Sequence, residues 1–147
     1  MFLSRASMHD AEAIARNDVD LSREIEKVSM DFQLVLDGVR MLIASPKRGF
    51  YLLAKQDEEV IGQMLVTHEW SDWRNQDIWW LHRIYVIPAW RHKGILRKLF
   101  TEIQVKARNK NVYAIRLYLH EENQNAEDIY RRLGMKRTPF HIFSVRV

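Results

Sequence analysis

Hydrophobic residues in the N-terminal part of the chain recur at spacings of three and four, which is the period of an α-helix. The first such stretch covers residues 10–27, where His9 or Asp10 can cap the start. The second covers residues 32–43 and stops before Pro46, because the residue preceding a proline is disfavoured in the α region. The pattern therefore predicts two helices ahead of the first strand.

Apolar runs of strand length come next. Residues 50–54 and 60–66 flank the acidic turn 56–59, which predicts an antiparallel hairpin. Residues 67–77 are polar and aromatic, and they are predicted to form a loop. Residues 78–87 are rich in β-branched and aromatic side chains, and they are predicted to form a long strand that ends at a proline.

The C-terminal part alternates helices and strands. A helix is predicted over residues 91–110. Its apolar positions fall on one face: Ile95, Leu96, Leu99, Phe100, Ile103 and Ala107. A strand over 112–119, a helix over 125–133 and a last strand over 140–147 follow. The pattern predicts an α+β fold, a single domain over residues 1–147 with a mixed, partly parallel sheet flanked by helices on both faces.

Composition excludes several classes of protein. The chain has 147 residues, which is typical of one domain, and no apolar run approaches the ~18 residues that a membrane-spanning helix needs. No secretory signal is visible at the N-terminus, so a cytoplasmic location is expected. The chain has no cysteine, which excludes a disulfide framework, a cysteine zinc site and a thiol nucleophile. Without cysteine or an HExxH helix, no metal site is predicted.

The net charge of +4 conceals an uneven distribution. Residues 1–81 carry 9 basic and 14 acidic side chains, a net charge of −5, whereas residues 82–147 carry 14 basic and 5 acidic side chains, a net charge of +9. The basic part indicates a solvated surface or an anionic partner, such as nucleic acid or a phosphorylated cofactor. The acidic part points more weakly to a cationic partner.

Candidate chemistry concentrates at residues 85–96, where a strand breaks at Pro88 and the chain restarts as a helix around Gly94. A helix start presents unpaired backbone amides and a partial positive charge, and a glycine lets an anion approach the backbone. Basic side chains surround this junction: Arg91, His92, Lys93, Arg97 and Lys98. Taken alone, one glycine at a helix start is more often a packing feature, so the pattern needs support from elsewhere in the chain.

That support comes from two motifs. Val86, Pro88, Arg91 and Gly94 follow the pattern Val-x-Pro followed by Gln/Arg-x-x-Gly-x-Gly/Ala. Farther along the chain, an Asn-x-x-Ala-x-x-x-Tyr-x-x-x-Gly pattern is matched at every position: Asn123, Ala126, Tyr130 and Gly134. With both motifs in order, the chain resembles the GNAT superfamily of acyl-coenzyme-A-dependent N-acetyltransferases over nearly its whole length. Leu96 departs from the small residue that the first motif expects.

The resemblance implies a coenzyme site and two catalytic roles. The resemblance assigns Ile84, Val86, Arg91, Gly94, Leu96 and Asn123 to the coenzyme, and the basic side chains of His92, Lys93 and Arg97 at the helix start are expected to join them. Backbone amides around residues 84–86 would polarise the acetyl carbonyl, and Tyr130 would protonate the leaving sulfur. Trp80 stands where some relatives carry a glutamate base, so His82, on the same strand face, is the candidate base. Each residue also has a structural alternative: Tyr130 in the core, Asn123 as a helix cap, His82 as a hydrogen-bonded strand residue.

The acceptor site is predicted in the segment 67–77. Aromatic faces beside carboxylates suit a cation, and the candidate substrate-binding residues are Glu69, Trp70, Asp72 and Trp73, with Asp77 nearby. Glu24 and Glu26 are expected to close the cleft from the opposite side. The alternative is a solvated loop whose tryptophans pack on the sheet.

These observations predict an enzyme that transfers an acetyl group from acetyl-CoA to a primary amine, by direct transfer in a ternary complex. The expected acceptor is a small cationic amine or a peptide amine. Neither a nucleic acid nor a membrane is an expected partner, and a homodimer is left open. Two alternatives remain: a coenzyme-A-binding protein of the same fold without catalysis, and a basic nucleic-acid-binding module, against which the acidic N-terminal part argues.

Overall fold

The computed structural model describes residues 1–147 and contains one five-stranded sheet. The strands are β1 (Phe2–Arg5), β2 (Gly49–Gln56), β3 (Glu59–Ser71), β4 (Gln76–Val86) and β5 (Ala114–Leu117). They lie side by side in chain order, with antiparallel pairing except between β4 and β5, which are parallel. The helices are α1 (Ala11–Ile25), α2 (Phe32–Ile43), α3 (Ile95–Asn109) and α4 (Gln124–Arg132), with single 3₁₀ turns at Met8–Asp10 and Pro88–Trp90. The predicted α+β fold with a partly parallel sheet is confirmed.

Each face of the sheet carries its own hydrophobic core, because strand side chains alternate between faces. On one face, α1 and α2 cover Tyr51 and Leu53 of β2 together with Val60 of β3. On the other face, α3 covers Phe50 and Leu52 and buries its own apolar stripe. The stripe consists of Ile95, Leu99, Phe100, Ile103 and Ala107. Helices on both faces therefore fix the position of the central strands.

The structure corrects three predictions about elements. The segment 67–77 is not a loop: it forms the far half of the β3–β4 hairpin, closed by a four-residue turn in which Asn75 adopts a φ of 52°. The strand predicted over 140–147 is absent, and residues 136–147 are exposed and form no helix or strand. A short strand that the periodicity did not indicate, β1, pairs with β2 at the opposite edge of the sheet.

A β-bulge interrupts the pairing of β3 with β4. Gln63 pairs with Tyr85 and Leu65 pairs with His82, so that Arg83 and Ile84 stand opposite one residue of β3. Arg83 adopts a φ of 50°, a left-handed conformation that is uncommon outside glycine. Such a bulge bends a strand and increases its twist. The parallel pairing of β4 with β5 spans residues 78–81 of β4 and does not continue beyond the bulge, so the two strands separate where β4 bends.

The start of α3 is held close to this region by a glycine in β3. A Cβ placed on Gly62 would lie 2.8 Å from Cγ2 of Ile95 and 3.3 Å from Cδ1 of Leu99. A side chain at this position would push α3 away from the sheet. Because Gly62 pairs with Val86, the helix begins beside the end of β4, beyond the bulge.

Candidate active site

The separation of β4 from β5 leaves one edge of β4 without a strand partner. Ile87 donates its amide to Ile61 on the β3 side, and strand amides alternate between the two edges. The amides of Val86 and Ile84 therefore point to the open edge. These two groups can polarise a carbonyl oxygen or pair with an extended ligand.

Directly after β4, the backbone forms an anion-binding concavity. The amides of residues 92–97 donate to no acceptor in the chain. His92 and Gly94 adopt left-handed φ values of 62° and 80°, which turn successive amides toward one side ahead of α3. Together with the dipole of α3, this arrangement fits a diphosphate.

Side chains around the concavity add positive charge. His92, Lys93, Arg97 and Lys98 are exposed, and the Lys93 ammonium lies 4.9 Å from the ring centroid of Trp90. Leu96 is half-buried against the core under α3, so that residue offers its amide and not its side chain. A Cβ on Gly94 would meet nothing within 4 Å, so the approach to the backbone at this position is open.

The Arg91 side chain, in contrast, forms its hydrogen bonds within the chain. Its guanidinium donates to both carboxylate oxygens of Glu24, at 3.0 and 2.7 Å, and its Nε donates to the Val86 carbonyl at 2.8 Å. Tyr85 also donates its hydroxyl to Glu24, at 3.1 Å. Burial first, and the Glu24 carboxylate second, raise the pKa of Tyr85 to about 12. Arg91 therefore joins the loop to α1. Because the Glu24 carboxylate is paired with Arg91, it is not available to a cationic acceptor, in contrast to the expectation from sequence.

His82 lies on β4 just before the bulge and is half-buried. Its Nε2 is 2.8 Å from Oγ1 of Thr67 on β3, which fixes the ring orientation. Burial, followed by the nearby positive charge of Arg83, lowers the pKa of His82 below its usual 6.5. The imidazole is consequently neutral at pH 7 and able to accept a proton.

An aromatic pair lies beside His82. Trp80 stacks on Tyr118 with ring centroids 4.5 Å apart, and the Tyr118 ring lies 6.0 Å from that of His82. Trp80 Nε1 donates to Oε1 of Glu69 at 3.1 Å, so a carboxylate adjoins the aromatic faces. An ammonium group is attracted to both features.

The other predicted acceptor residues do not converge on this pair. Trp70 follows Glu69 in the strand and therefore points to the opposite face of the sheet. Asp72 and Trp73 lie in the β3–β4 turn, and Trp73 is 90% exposed. Trp70 is 59% exposed, so neither tryptophan packs on the sheet. Of the four predicted residues, Glu69 alone adjoins Trp80.

Tyr130 is half-buried on α4, and no group in the chain forms a hydrogen bond with its hydroxyl. Burial raises the pKa of Tyr130 to about 12, so the phenol is protonated at neutral pH. A buried tyrosine with a purely structural role usually has a partner for its hydroxyl. The unpartnered hydroxyl leaves a proton available for donation.

Asn123 occupies the N-cap position of α4, but its side chain makes no capping hydrogen bond. It lines a cavity of about 150 Å³ between the end of α1 and the loop before α4. The other lining residues are Glu24, Ile25, Lys27, His120 and Glu122. The structure thus places Asn123 beside an open space and leaves its amide unused.

The motifs, the open edge of β4 and the unpaired amides agree with a comparison to protein families. Residues 8–135 match the family model described as the acetyltransferase (GNAT) family. The chain belongs to the GNAT family. The resemblance stated from the two motifs is confirmed, and the protein is an N-acetyltransferase by family.

Individual relatives of this GNAT protein carry the same class of name. An uncharacterized N-acetyltransferase of Lactobacillus delbrueckii subsp. lactis is 27% identical over 145 residues, which are 96% of this chain and 79% of the relative. The thialysine N-epsilon-acetyltransferase of Bos taurus is 33% identical over 75 residues, 51% of this chain and 44% of the relative. The crystal structure of a possible acetyltransferase from Clostridium difficile 630 is 31% identical, with a TM-score of 0.94 over 99% of this chain and 97% of that one.

Three features of this GNAT site were not indicated by sequence. Thr67 was placed in a loop, and its pairing opposite Trp80, beside His82, follows only from the long hairpin. Tyr118 belonged to a predicted strand, with nothing to show its stacking on Trp80. The sequence did not indicate the left-handed conformation of Arg83, because glycine or asparagine usually marks such a position.

The structure contains no helix with the length and apolar character that a membrane span requires.

Proposed function

We propose that this GNAT protein transfers an acetyl group from acetyl-CoA to a primary amine, with both substrates bound at once. The observation that carries the proposal is the row of unpaired amides at residues 92–97, adjoining the open edge of β4. The diphosphate of acetyl-CoA would bind these amides, and the amides of Ile84 and Val86 would receive the extended arm and the acetyl carbonyl. The unused amide of Asn123 would contact the arm.

His82 is proposed as the base that removes the proton from the acceptor amine. With its hydrogen on Nε2, the neutral ring donates to Thr67 Oγ1 and keeps the lone pair of Nδ1 free. The lowered pKa of His82 supports this role, because the ring stays unprotonated at pH 7. The acceptor arrives as an ammonium and first releases one proton to solvent water, which leaves a neutral amine with a free lone pair. As the amine nitrogen then bonds to the acetyl carbon, its next proton passes to Nδ1 directly or through water.

Tyr130 is proposed as the acid that protonates the leaving sulfur. Breaking the carbon–sulfur bond produces a thiolate, and the unpartnered hydroxyl of Tyr130 supplies the proton that converts it to the free thiol. The raised pKa ensures that the phenol carries this proton at neutral pH. The cycle closes when the tyrosine regains a proton from solvent or from His82.

The acceptor is proposed to be a cationic amine that reaches the site next to Trp80. Glu69 and the faces of Trp80 and Tyr118 provide a carboxylate and an aromatic wall. At ~4 Å and an effective dielectric near 20, two unit charges attract by about 4 kcal/mol, which favours a cation over a neutral isostere. The relative named for thialysine supports a lysine-like side chain as a first candidate.

The test is release of free thiol from acetyl-CoA in the presence of a panel of acceptors. The panel includes thialysine, lysine, a lysine-containing peptide, a polyamine and an aminoglycoside. The control is the hydroxyl analogue of lysine with its α-amine blocked, which offers no free amine. We expect thiol release with at least one amine, with none from the hydroxyl analogue. Thiol release that occurs equally without amine would indicate hydrolysis and would overturn the proposal.

A further inference from the structure

The bulge in β4 places two consecutive side chains on the same face of the sheet. Leu81 and Ile84 both pack on the core under α3. Residues three apart in a regular strand lie on opposite faces, but the extra residue of the bulge brings these two onto one face. The two residues between them, His82 and Arg83, are therefore both left on the face covered by α1 and α2. The bulge thus sets an arginine directly beside the proposed base.

The charge of Arg83 acts on three titratable groups of this face. Burial, followed by Arg83, lowers the pKa of His82. Burial raises the pKa of Asp18 to about 7 and that of Tyr51 above its usual 10, and the charge of Arg83 opposes both shifts. Tyr51 belongs to the core under α1 and α2, and Asp18 is a buried residue of α1. These neighbours agree with a guanidinium that lies on the α1 face, next to His82.

The guanidinium of Arg83 has no partner in the chain. The residue is exposed, and its side chain forms neither an ion pair nor a hydrogen bond. The carboxylate of Asp18 is satisfied by another group: it accepts from Nε2 of Gln63 at 2.7 Å, and Asn17 donates to Oε1 of Gln63 at 3.0 Å. The hydrogen-bond donors of Arg83 are thus all available to an anion that binds beside the base.

Charges of both signs flank His82 on this face. Trp80, two positions before His82 on β4, donates from Nε1 to Glu69 at 3.1 Å, and Arg83 follows directly after His82. Arg83 would repel the second amine of a diamine or polyamine, whereas it would attract a carboxylate. A molecule that carries both an amine and a carboxylate therefore complements this face better than a molecule that carries amines alone.

We propose that the acceptor is a free amino acid whose carboxylate binds Arg83 while its side-chain amine lies at His82. The proposal rests on the acetyl transfer proposed above and names the class of acceptor. A guanidinium matches a carboxylate with two parallel hydrogen bonds, which selects this group by shape as well as by charge. Polyamines have no carboxylate, and in an internal lysine of a peptide an amide takes its place. Arg83 is thus the residue that determines specificity for the acceptor.

The first test compares lysine with lysinamide, in which the carboxylate is replaced by a neutral amide. Only the Nε-acetylated product is counted, by mass spectrometry. We expect kcat/KM to be at least tenfold higher for lysine than for lysinamide, mainly through KM. Arg83→Gln should bring the ratio of the two close to one, and Arg83→Lys should retain part of the preference. Both acceptors use the same base, so a change in the pKa of His82 cancels in this ratio.

Arg116→Gln is the matched control for this comparison. Arg116 pairs with Trp80 across β4 and β5, and its guanidinium carbon lies 6.0 Å from the Trp80 ring centroid. The variant removes one positive charge near the same face and should leave the preference for lysine intact. Equal kcat/KM for lysine and lysinamide, or a preference that Arg83→Gln does not change, overturns the proposal. A preference lost in Arg116→Gln and kept in Arg83→Gln would place the carboxylate at β5 and would overturn it as well.

The second test measures binding without turnover. Calorimetry compares Nε-acetyl-lysine with Nε-acetyl-lysinamide on the protein saturated with coenzyme A. We expect the carboxylate form to bind at least tenfold more tightly to the unaltered protein, and the two forms to bind equally to Arg83→Gln. Equal binding to the unaltered protein, together with thiol release from acetyl-CoA by amines, would overturn the carboxylate site alone. A carboxylate preference in a protein that acetylates no amine would uphold this site and overturn the proposed function.

Discussion

The guanidinium of Arg91 donates hydrogen bonds to both carboxylate oxygens of Glu24, 67 positions away in the sequence. This ion pair joins α1 to the loop whose amides form the anion-binding concavity. It is partly exposed, so its contribution to stability is modest, about 1 kcal/mol or less. Its main effect is to hold the loop in place.

Removing the charge of Glu24 should therefore impair coenzyme binding more than folding. We expect Glu24→Gln to raise the Kd for acetyl-CoA about threefold to tenfold by calorimetry, because the loop is less restrained. Glu26→Gln is the matched control, an exposed carboxylate near the same helix end that makes no contact with Arg91. Equal affinities for both variants would show that the ion pair between Arg91 and Glu24 has no role in binding.

The concavity can be tested by adding a negative charge at Gly94. The position has steric room, but its φ of 80° strains most side chains. Asparagine tolerates this conformation and has nearly the shape of aspartate. The effect of Gly94→Asn therefore reports the backbone strain alone, and the difference between Gly94→Asp and Gly94→Asn reports the negative charge. Isothermal titration should show acetyl-CoA bound at least tenfold more weakly by Gly94→Asp than by Gly94→Asn. Similar affinities would remove this loop as the diphosphate site.

Tyr130→Phe removes the proposed acid and little else. We expect kcat to fall by on the order of tenfold or more, while the Kd for acetyl-CoA and the melting temperature stay nearly unchanged. Tyr113→Phe, at an exposed tyrosine, serves as the control and should leave kcat as it was. If Tyr130→Phe turns over at the rate of the unaltered enzyme, the tyrosine has only a structural role.

The pH dependence of kcat/KM reports the proposed base. Activity requires unprotonated His82, so it should fall as pH decreases through the pKa of that residue, which lies below 6.5. The positive charge of Arg83 contributes to this low pKa, so Arg83→Asn should move the acidic limb to higher pH. Burial persists in the variant, and the limb should therefore remain below pH 6.5. Arg108→Asn, at an exposed position on α3, is the control and should leave the acidic limb of kcat/KM where it is. If Arg83→Asn also leaves the acidic limb unchanged, the result would argue against His82 as the base.

Acceptor charge is tested by comparing two carboxylates of the same hairpin. Glu69 adjoins Trp80, whereas Asp72 lies in the turn. Glu69→Gln should raise KM for a cationic amine severalfold and reduce its dependence on salt, with little change in kcat. Asp72→Asn should alter neither quantity. The reverse ranking would place the acceptor at the tip of the hairpin.

Sequence periodicity predicted the elements whose apolar faces are continuous. The stripe on α3 and the two N-terminal helices were found because their hydrophobic positions repeat at helical spacing. Residues 67–71 were misread because both faces of the far hairpin carry polar or exposed side chains, so alternation gives no signal there. In the strand predicted over 140–147 the alternation holds only from Phe143 to Val147, and alternation alone does not form a strand without a neighbouring strand to pair with.

The candidate site was predictable where it depends on backbone and order along the chain. Gly94 and Pro88 mark the loop, and the spacing of Asn123 and Tyr130 indicated the second motif. Contacts between distant elements were not predictable. The pairing of Arg91 with Glu24 leaves no pattern in the sequence, because nothing in the spacing of two opposite charges shows which pairs will meet.

The most direct test of direct acetyl transfer is a set of initial rates of thiol release in which acetyl-CoA and the best amine are both varied. A reaction in which His82 and Tyr130 act on two bound substrates predicts saturation by each substrate and double-reciprocal lines that intersect. Parallel lines would indicate a covalent acetyl-enzyme, and a rate independent of the amine would indicate hydrolysis. Either result would contradict direct transfer to an amine.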